Sequence, residues 1–156
     1  MAKDAKSEDP EYRARSTALR LLARREHSRQ ELRLKLLQRK LEASVIDPVL
    51  DEYEQEGWLD DARFADVYAR QRMDIGYGPV RILAELQQRG VHKAPEWFDA
   101  VDDRSWAAEA AALRERRFGP VPEDFSEKMK QAQFLARRGF SSAQVSRALS
   151  ITAWEE

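Results

Sequence analysis

Arg25, Arg29 and Arg33 recur at i, i+4 and i+8, with Arg24 beside them. A helical backbone, or two helices meeting at a turn, brings such positions onto one arc. A guanidinium group is a planar fork of donors that fits carboxylates and phosphates. Several of them on a short arc repel one another unless anions are close. Two sources of anion fit. One is the chain's own acidic run, with Asp51, Glu52, Glu54 and Glu56. The other is external, either nucleic-acid phosphates or an acidic protein surface, and phosphate contacts make binding strongly salt-dependent. Arg39, Arg89 and Arg138 occupy matched positions near helix ends. There a cation also complements the helix dipole, by about 0.3–1 kcal/mol.

The residues for most catalytic chemistry are missing. The chain has no cysteine and two histidines, His27 and His92. Thiolate chemistry, disulfides and zinc sites built on Cys and His are excluded or disfavoured. His27, next to the capping residue Ser28, reads as an exposed turn residue, and His92 as the start of a short helix. Gly76-Tyr-Gly78 is too short for a phosphate-binding loop, and no Gly-x-Ser-x-Gly elbow occurs. The carboxylates fall in solvated runs. These features point to binding rather than catalysis, with no cofactor.

The charge is abundant and segregated. Of 156 residues, 35% are charged, against about 25% in ordinary soluble domains. The 27 basic and 28 acidic side chains leave a net charge of -1. Residues 13–40 carry ten Lys and Arg against Glu26 and Glu31, whereas residues 41–66 carry nine acids against Arg63 alone. The alternation continues through a basic 67–93, an acidic 95–124 and a basic 126–147. A near-neutral total therefore leaves a polyanionic partner open, because the local field decides attraction. No apolar run approaches the ~20 residues of a membrane span. Residues 1–10 lack the apolar core of a secretion signal. A cytoplasmic protein without membrane contact is expected.

The elements that hold these residues read as helices throughout. Ser28-Arg-Gln-Glu31 and Ser141-Ser-Ala-Gln144 are capping boxes. Gly78-Pro79 marks a helix start, and Gly57, Gly90 and Gly139 mark helix ends. The chain also repeats. Leu36-Leu-Gln-Arg39-Lys-Leu41, Leu86-Gln-Gln-Arg89-Gly-Val91 and Leu135-Ala-Arg-Arg138-Gly-Phe140 resemble one another, at steps of 50 and 49 residues. Each unit reads as three helices: 13–26, 28–41 and 44–56; 60–73, 78–89 and 92–101; 103–118, 126–138 and 141–149. The expected architecture is all-α, an elongated curved stack of three tandem three-helix repeats at 12–57, 58–102 and 103–150. A disordered tail is expected at 1–11 and a C-terminal tail at 151–156. Trp58, Phe64, Tyr68, Trp97, Trp106 and Phe134 are assigned to the core or to junctions.

Ala18-Leu-Arg-Leu-Leu-Ala-Arg-Arg-Glu-His-Ser-Arg-Gln-Glu-Leu32 resembles the opening signature of the RecX family of recombinase regulators. Gly57-Trp-Leu-Asp-Asp-Ala-Arg-Phe-Ala65 is similar to that family's entry into its second repeat. Tyr77-Gly-Pro-Val-Arg-Ile82 with Leu86-Gln-Gln-Arg-Gly90 resembles its middle repeat, and Phe134-Leu-Ala-Arg-Arg-Gly-Phe140 its third. Pro95, which offsets the second unit's last helix, and Ala100 depart from the pattern. The resemblance implies a modulator of the RecA recombinase. Such a protein binds the filament of RecA on single-stranded DNA, inhibits strand exchange, ATP hydrolysis and coprotease activity, and has no catalytic residues. A monomer that touches DNA weakly or through the filament is expected. The positions matching the family's basic motifs are Arg24, Arg25, Arg29, Arg33, Arg81, Arg89, Arg137 and Arg138. A stand-alone helix-turn-helix-like nucleic-acid-binding module is the competing expectation.

Overall fold

The computed structural model describes residues 9–151, and those residues form helices and connecting turns without a strand. The helices are α1 Pro10–Arg24, α2 Arg29–Gln38, α3 Ala43–Gln55, α4 Asp61–Ile75, α5 Pro79–Gln88, α6 Glu96–Asp99, α7 Asp103–Phe118, α8 Phe125–Arg137 and α9 Ser142–Ala148. They fall into three successive sets of three, as the repeats predict. Residues 1–8 of the expected N-terminal tail and residues 152–156 of the C-terminal one lie outside the described residues.

Local chemistry sets most helix starts. The Ser28 hydroxyl accepts from the Glu31 amide while the Glu31 carboxylate accepts from the Ser28 amide, closing the capping box. Ser141 and Gln144 do the same at α9. Asp9, Asp102 and Asp124 cap α1, α7 and α8 through side-chain oxygens. Each such cap is worth about 1 kcal/mol. Pro10 sits in the first turn of α1, where its missing amide hydrogen costs nothing. The helix therefore starts inside the 1–11 segment expected to be disordered.

At the helix ends, Gly57, Gly90 and Gly139 adopt the expected positive φ. In the first repeat Lys40 stands at the corresponding position and takes φ 63° itself. The Leu41 amide then donates to the Leu36 carbonyl at 3.4 Å, as the Phe140 amide donates to the Leu135 carbonyl at 3.3 Å in the third repeat.

One helix differs clearly from expectation. The segment read as helical over 92–101 is helical only at Glu96–Asp99, with Pro95 as its N-cap. Proline lacks an amide hydrogen and pushes its predecessor out of the helical region, so a helix cannot run through it from His92.

The chain divides into two compact units. One holds the chain up to Val67 together with Gln87–Lys93, and the other holds Tyr68–Leu86 together with Ala94 onward. In the first unit α1, α2 and α3 pack together over Ala14, Ala18, Leu21, Leu32, Leu36, Ile46, Leu50 and Tyr53. Leu32, Leu36, Ile46 and Leu50 are fully buried, and truncating one to Ala costs about 2–5 kcal/mol. The second unit buries Ala107, Ala110, Ala111, Leu135 and Ala148, with α9 lying against both α7 and α8. Edge-on ring contacts run from Trp97 to Phe98, from Phe98 to Trp106 and from Trp106 to Phe140.

Phe64 and Trp106 are core residues, as assigned. Tyr68, Trp97 and Phe134 are half-buried. Trp58 is 47% exposed, with its ring tilted against Tyr53 at 5.2 Å.

Candidate functional site

In the first unit the arc of arginines meets the chain's own acids. Arg29 pairs with Asp51 at 2.7 Å and with Glu54, both on α3. Arg33 reaches Asp47 at 2.8 Å. Arg25 pairs with Glu31 at 3.2 Å and donates to the Glu26 carbonyl at 2.7 Å. Arg89 lies 3.8 Å from the same Glu31. All four positions find anions within the chain, but only Arg29 pairs with the acidic run 51–56; Arg33 uses Asp47 earlier on α3, and Arg25 and Arg89 use Glu31 on α2. The hydrogen bond from Arg33 holds the Asp47 carboxyl below its ordinary value. Burial pushes the Glu31 carboxyl up, but hydrogen bonds from Arg25 and the Ser28 amide outweigh it and the net shift is downward. These pairs are partly exposed, so solvent screens each of them and none is a large contributor to stability. Arg24, at the end of α1, is exposed and makes no ion pair with a described residue.

His27 reads as exposed in the sequence but is 1% exposed in the structure. Its Nδ1 lies 3.0 Å from the Arg25 carbonyl and its Nε2 lies 2.9 Å from Lys35 Nζ. The chain turns sharply between α1 and α2, and the α2 residue Lys35 closes over the ring. His92 is exposed.

Arg81, Arg137 and Arg138 come together in the second unit. Arg81 donates to Glu85 at 3.1 Å and to the Arg137 carbonyl at 3.3 Å. Glu85 also accepts from Arg72 at 2.8 and 2.9 Å and from the Tyr68 hydroxyl at 3.0 Å. Burial raises the Glu85 carboxyl, but these donors outweigh it and hold it low. The guanidinium carbons of Arg72, Arg81 and Arg138 stand 4.0, 4.2 and 4.8 Å from the Tyr77 ring centroid. Arg138 also approaches Phe134 at 5.5 Å, and Arg117 approaches that ring at 5.3 Å. Cations held against aromatic rings gain roughly 0.5–2 kcal/mol each.

The backbone is tight at this point. The Gly78 amide donates to the Arg138 carbonyl at 2.8 Å, and the Val80 amide donates to the Gly139 carbonyl at 2.9 Å. A Cβ on Gly139 would fall 2.2 Å from the Arg81 Cβ, so only glycine fits. The first unit has a similar joint, where the Ser28 hydroxyl donates to the Arg89 carbonyl at 2.7 Å.

Sequence reasoning missed Tyr77, Arg72, Arg117 and Lys130 as parts of this cluster. Tyr77 stands in a quoted motif, but its neighbours come from α4, α5 and the end of α8. It also missed Arg114, which is fully buried. The Arg114 guanidinium donates to the carbonyls of Ala148, Gly119, Pro120 and Ile151 at 3.0–3.3 Å.

Among the described residues no cluster of His, Cys, Asp and Glu has the makings of a metal site. No helix there is long and apolar enough to cross a membrane. A cleft of about 200 Å3 is lined by Asp74, Tyr77, Trp106, Glu109, Arg116 and Phe140.

Tandem three-helix repeats with arginines at matched helix ends define an α-helical repeat protein. Comparison with known proteins makes this specific. Residues 14–52 match the RecX first three-helix domain, residues 60–94 the second and residues 107–149 the third. The regulatory protein RecX of Halorhodospira halophila is 51% identical over 146 residues, covering 91% of this chain and 89% of its own length. That of Pseudomonas entomophila is 41% identical over 144 residues, covering 91% and 93%. The crystal structure of RecX from Lactobacillus salivarius shares the fold with a TM-score of 0.73 at 20% identity, over 92% of this chain and 96% of that one. The chain belongs to the RecX family of regulatory proteins.

Proposed function

We propose that this chain is a non-enzymatic regulator of the RecA recombinase. It binds the filament of RecA on single-stranded DNA and lowers strand exchange, ATP hydrolysis and coprotease activity by occupying the filament's surface. The observation that carries this reading is the ordered set of three RecX domains over 14–149, supported by relatives that carry the regulatory name across nearly their whole length. It acts as a cytoplasmic monomer without a cofactor, and single-stranded DNA is reached weakly or through the filament.

The ion pairs divide the eight candidate arginines into two groups. Arg24, Arg137 and Arg138 make no ion pair with described residues, so no carboxylate has to be displaced before they meet an anion. Arg25, Arg29, Arg33, Arg81 and Arg89 have to exchange a carboxylate for a phosphate or an acidic protein group. Such exchange favours a tight, specific contact over loose electrostatic attraction.

The test is the ATPase of RecA on single-stranded DNA, titrated with this protein at two salt concentrations. Inhibition at or below one copy per RecA protomer supports the reading. Undiminished ATP turnover, together with site-selective binding to naked duplex, would replace it with the helix-turn-helix-like module.

A further inference from the structure

Arg138 differs from every other basic residue in the chain's described part. It is half-buried, makes no ion pair, and its Nη1 is shielded from solvent with no acceptor. A guanidinium nitrogen removed from water and left without a partner is a rare and costly arrangement. That nitrogen is as closed to a phosphate oxygen as to water, but the Tyr77 and Phe134 rings hold the guanidinium in place and its charge has no carboxylate within 4 Å among the described residues, so an external anion would meet its other nitrogens.

The surroundings point to the chemistry of that partner. Tyr77, Phe134 and Phe118 form an aromatic base, with Phe118 and Phe134 edge-on at 5.3 Å. Arg72, Arg81 and Arg138 approach the first ring, Arg117 and Arg138 the second, and Lys130 the third at 5.9 Å. Glu85 pairs with both Arg72 and Arg81, which leaves that trio with one net positive charge. Arg117, Lys130 and Arg138 have no carboxylate within 4 Å among the described residues, and the exposed Arg137 adds another unpaired charge. The contrast with the first unit is direct, since there Arg25, Arg29 and Arg33 each have a carboxylate.

We propose that this aromatic and guanidinium cluster is an oxyanion site for the phosphodiester backbone of a single strand of nucleic acid. Arg138 is its central ligand, and Arg117, Lys130 and Arg137 contact the neighbouring phosphates. Cations interleaved with rings suit a single strand, because its phosphates find the charge while its unstacked bases find planar groups. The site rests on the reading that this chain works on a filament containing single-stranded DNA, and it places the DNA contact in the second unit rather than in the paired arginines of the first.

The test uses the full chain and a labelled oligo-dT, which has no secondary structure, read by fluorescence anisotropy across a salt series. Arg138→Gln weakens binding about five-fold or more and flattens the log–log salt slope by roughly 0.7, the value for one lost phosphate contact on a single strand. Arg138→Lys, which keeps the charge, recovers part of the loss. Lys93→Gln, which removes an exposed cation elsewhere, changes neither quantity. Circular dichroism melts establish that the variants are folded. Equal affinity and slope for Arg138→Gln, or an equal loss in Lys93→Gln, overturns the site. Displacement of the oligonucleotide by millimolar inorganic phosphate as effectively as by unlabelled oligo-dT also overturns it, in favour of a free-phosphate site. RecA ATPase, measured in parallel, separates the two claims. Inhibition by wild type with normal oligonucleotide binding by Arg138→Gln removes the site alone. Loss of binding in Arg138→Gln with no inhibition by wild type removes the regulatory reading alone.

Discussion

Lys35 Nζ donates a hydrogen bond to His27 Nε2 at 2.9 Å, inside the turn that joins α1 to α2. The other ring nitrogen, Nδ1, faces the Arg25 carbonyl, which only accepts, so Nδ1 carries the proton and the ring is neutral. Burial, the chief cause, lowers the tendency of His27 to protonate, and the charges of Arg25 and Lys35 add to it. The Arg25 carbonyl and Glu31 act in the opposite sense without reversing the shift.

Acid should therefore loosen the first repeat. The unfolded chain takes up the His27 proton near pH 6.5, whereas the folded chain resists until a lower pH. Stability is full above about 6.5 and falls as the pH drops toward the depressed folded value. Urea unfolding between pH 5 and 8 reads this slope. His27→Gln, which keeps a donor and an acceptor but does not titrate, should remove that part of the slope. A slope of the same size in His27→Gln refutes the assignment.

Arg114 should be among the most sensitive positions in the second unit. Its guanidinium satisfies the carbonyls of Ala148, Gly119, Pro120 and Ile151 and so ties the end of α9 to the turn after α7. Arg114→Met leaves those acceptors without their donor and should cost about 3 kcal/mol or more. Arg114→Lys should rescue little, because an ammonium lacks the planar fork. Hydrogen exchange should show α7 and α9 opening first while α1–α3 stay protected. Uniform loss of protection, or a cost below about 1 kcal/mol, contradicts this role.

Lys40→Gly should stabilise the protein. Lys40 holds a left-handed φ of 63° where the other two repeats have glycine, and a residue with a Cβ pays about 1 kcal/mol or more for that conformation. A gain of about 0.5–1 kcal/mol in chemical denaturation is expected. The converse change, Gly139→Ala, should be strongly destabilising because of the Arg81 backbone beside it.

Neutralising Arg29 and Arg33 together should lower stability slightly, read as a small drop in the urea midpoint. The acids of α3 lose their counter-charges, yet the groups are too exposed for a larger effect. Most of the loss should vanish in 1 M salt, where the Debye length is about 3 Å. A loss of the same size at high salt would mean that the two side chains act through packing.

Features that depend on neighbours in sequence were legible before the fold was known. Both capping boxes, the three glycines with positive φ, the repeat and its three-helix units all follow from local rules. The short α6 was misread because one proline was treated as a register shift rather than as a start signal. Long-range pairing was harder to read. The acids of α3 were one of two sources of anion for Arg29 and Arg33, and nothing in the spacing chose between them. His27 and Arg114 appear as ordinary polar residues because their burial depends on Lys35, on α9 and on main-chain carbonyls far along the chain. The cluster at Tyr77 draws on four helix ends or faces, which no periodicity reveals.

The lopsided distribution of ion pairs bears on range. With a net charge of -1, the molecule has almost no monopole with which to attract a polyanion from afar. Beyond a screening distance of about 10 Å its positive and negative regions cancel. The unpaired guanidinium groups are felt only on near contact. A partner must then be found largely by unguided diffusion, and added salt should act more on how long it stays than on how fast it arrives.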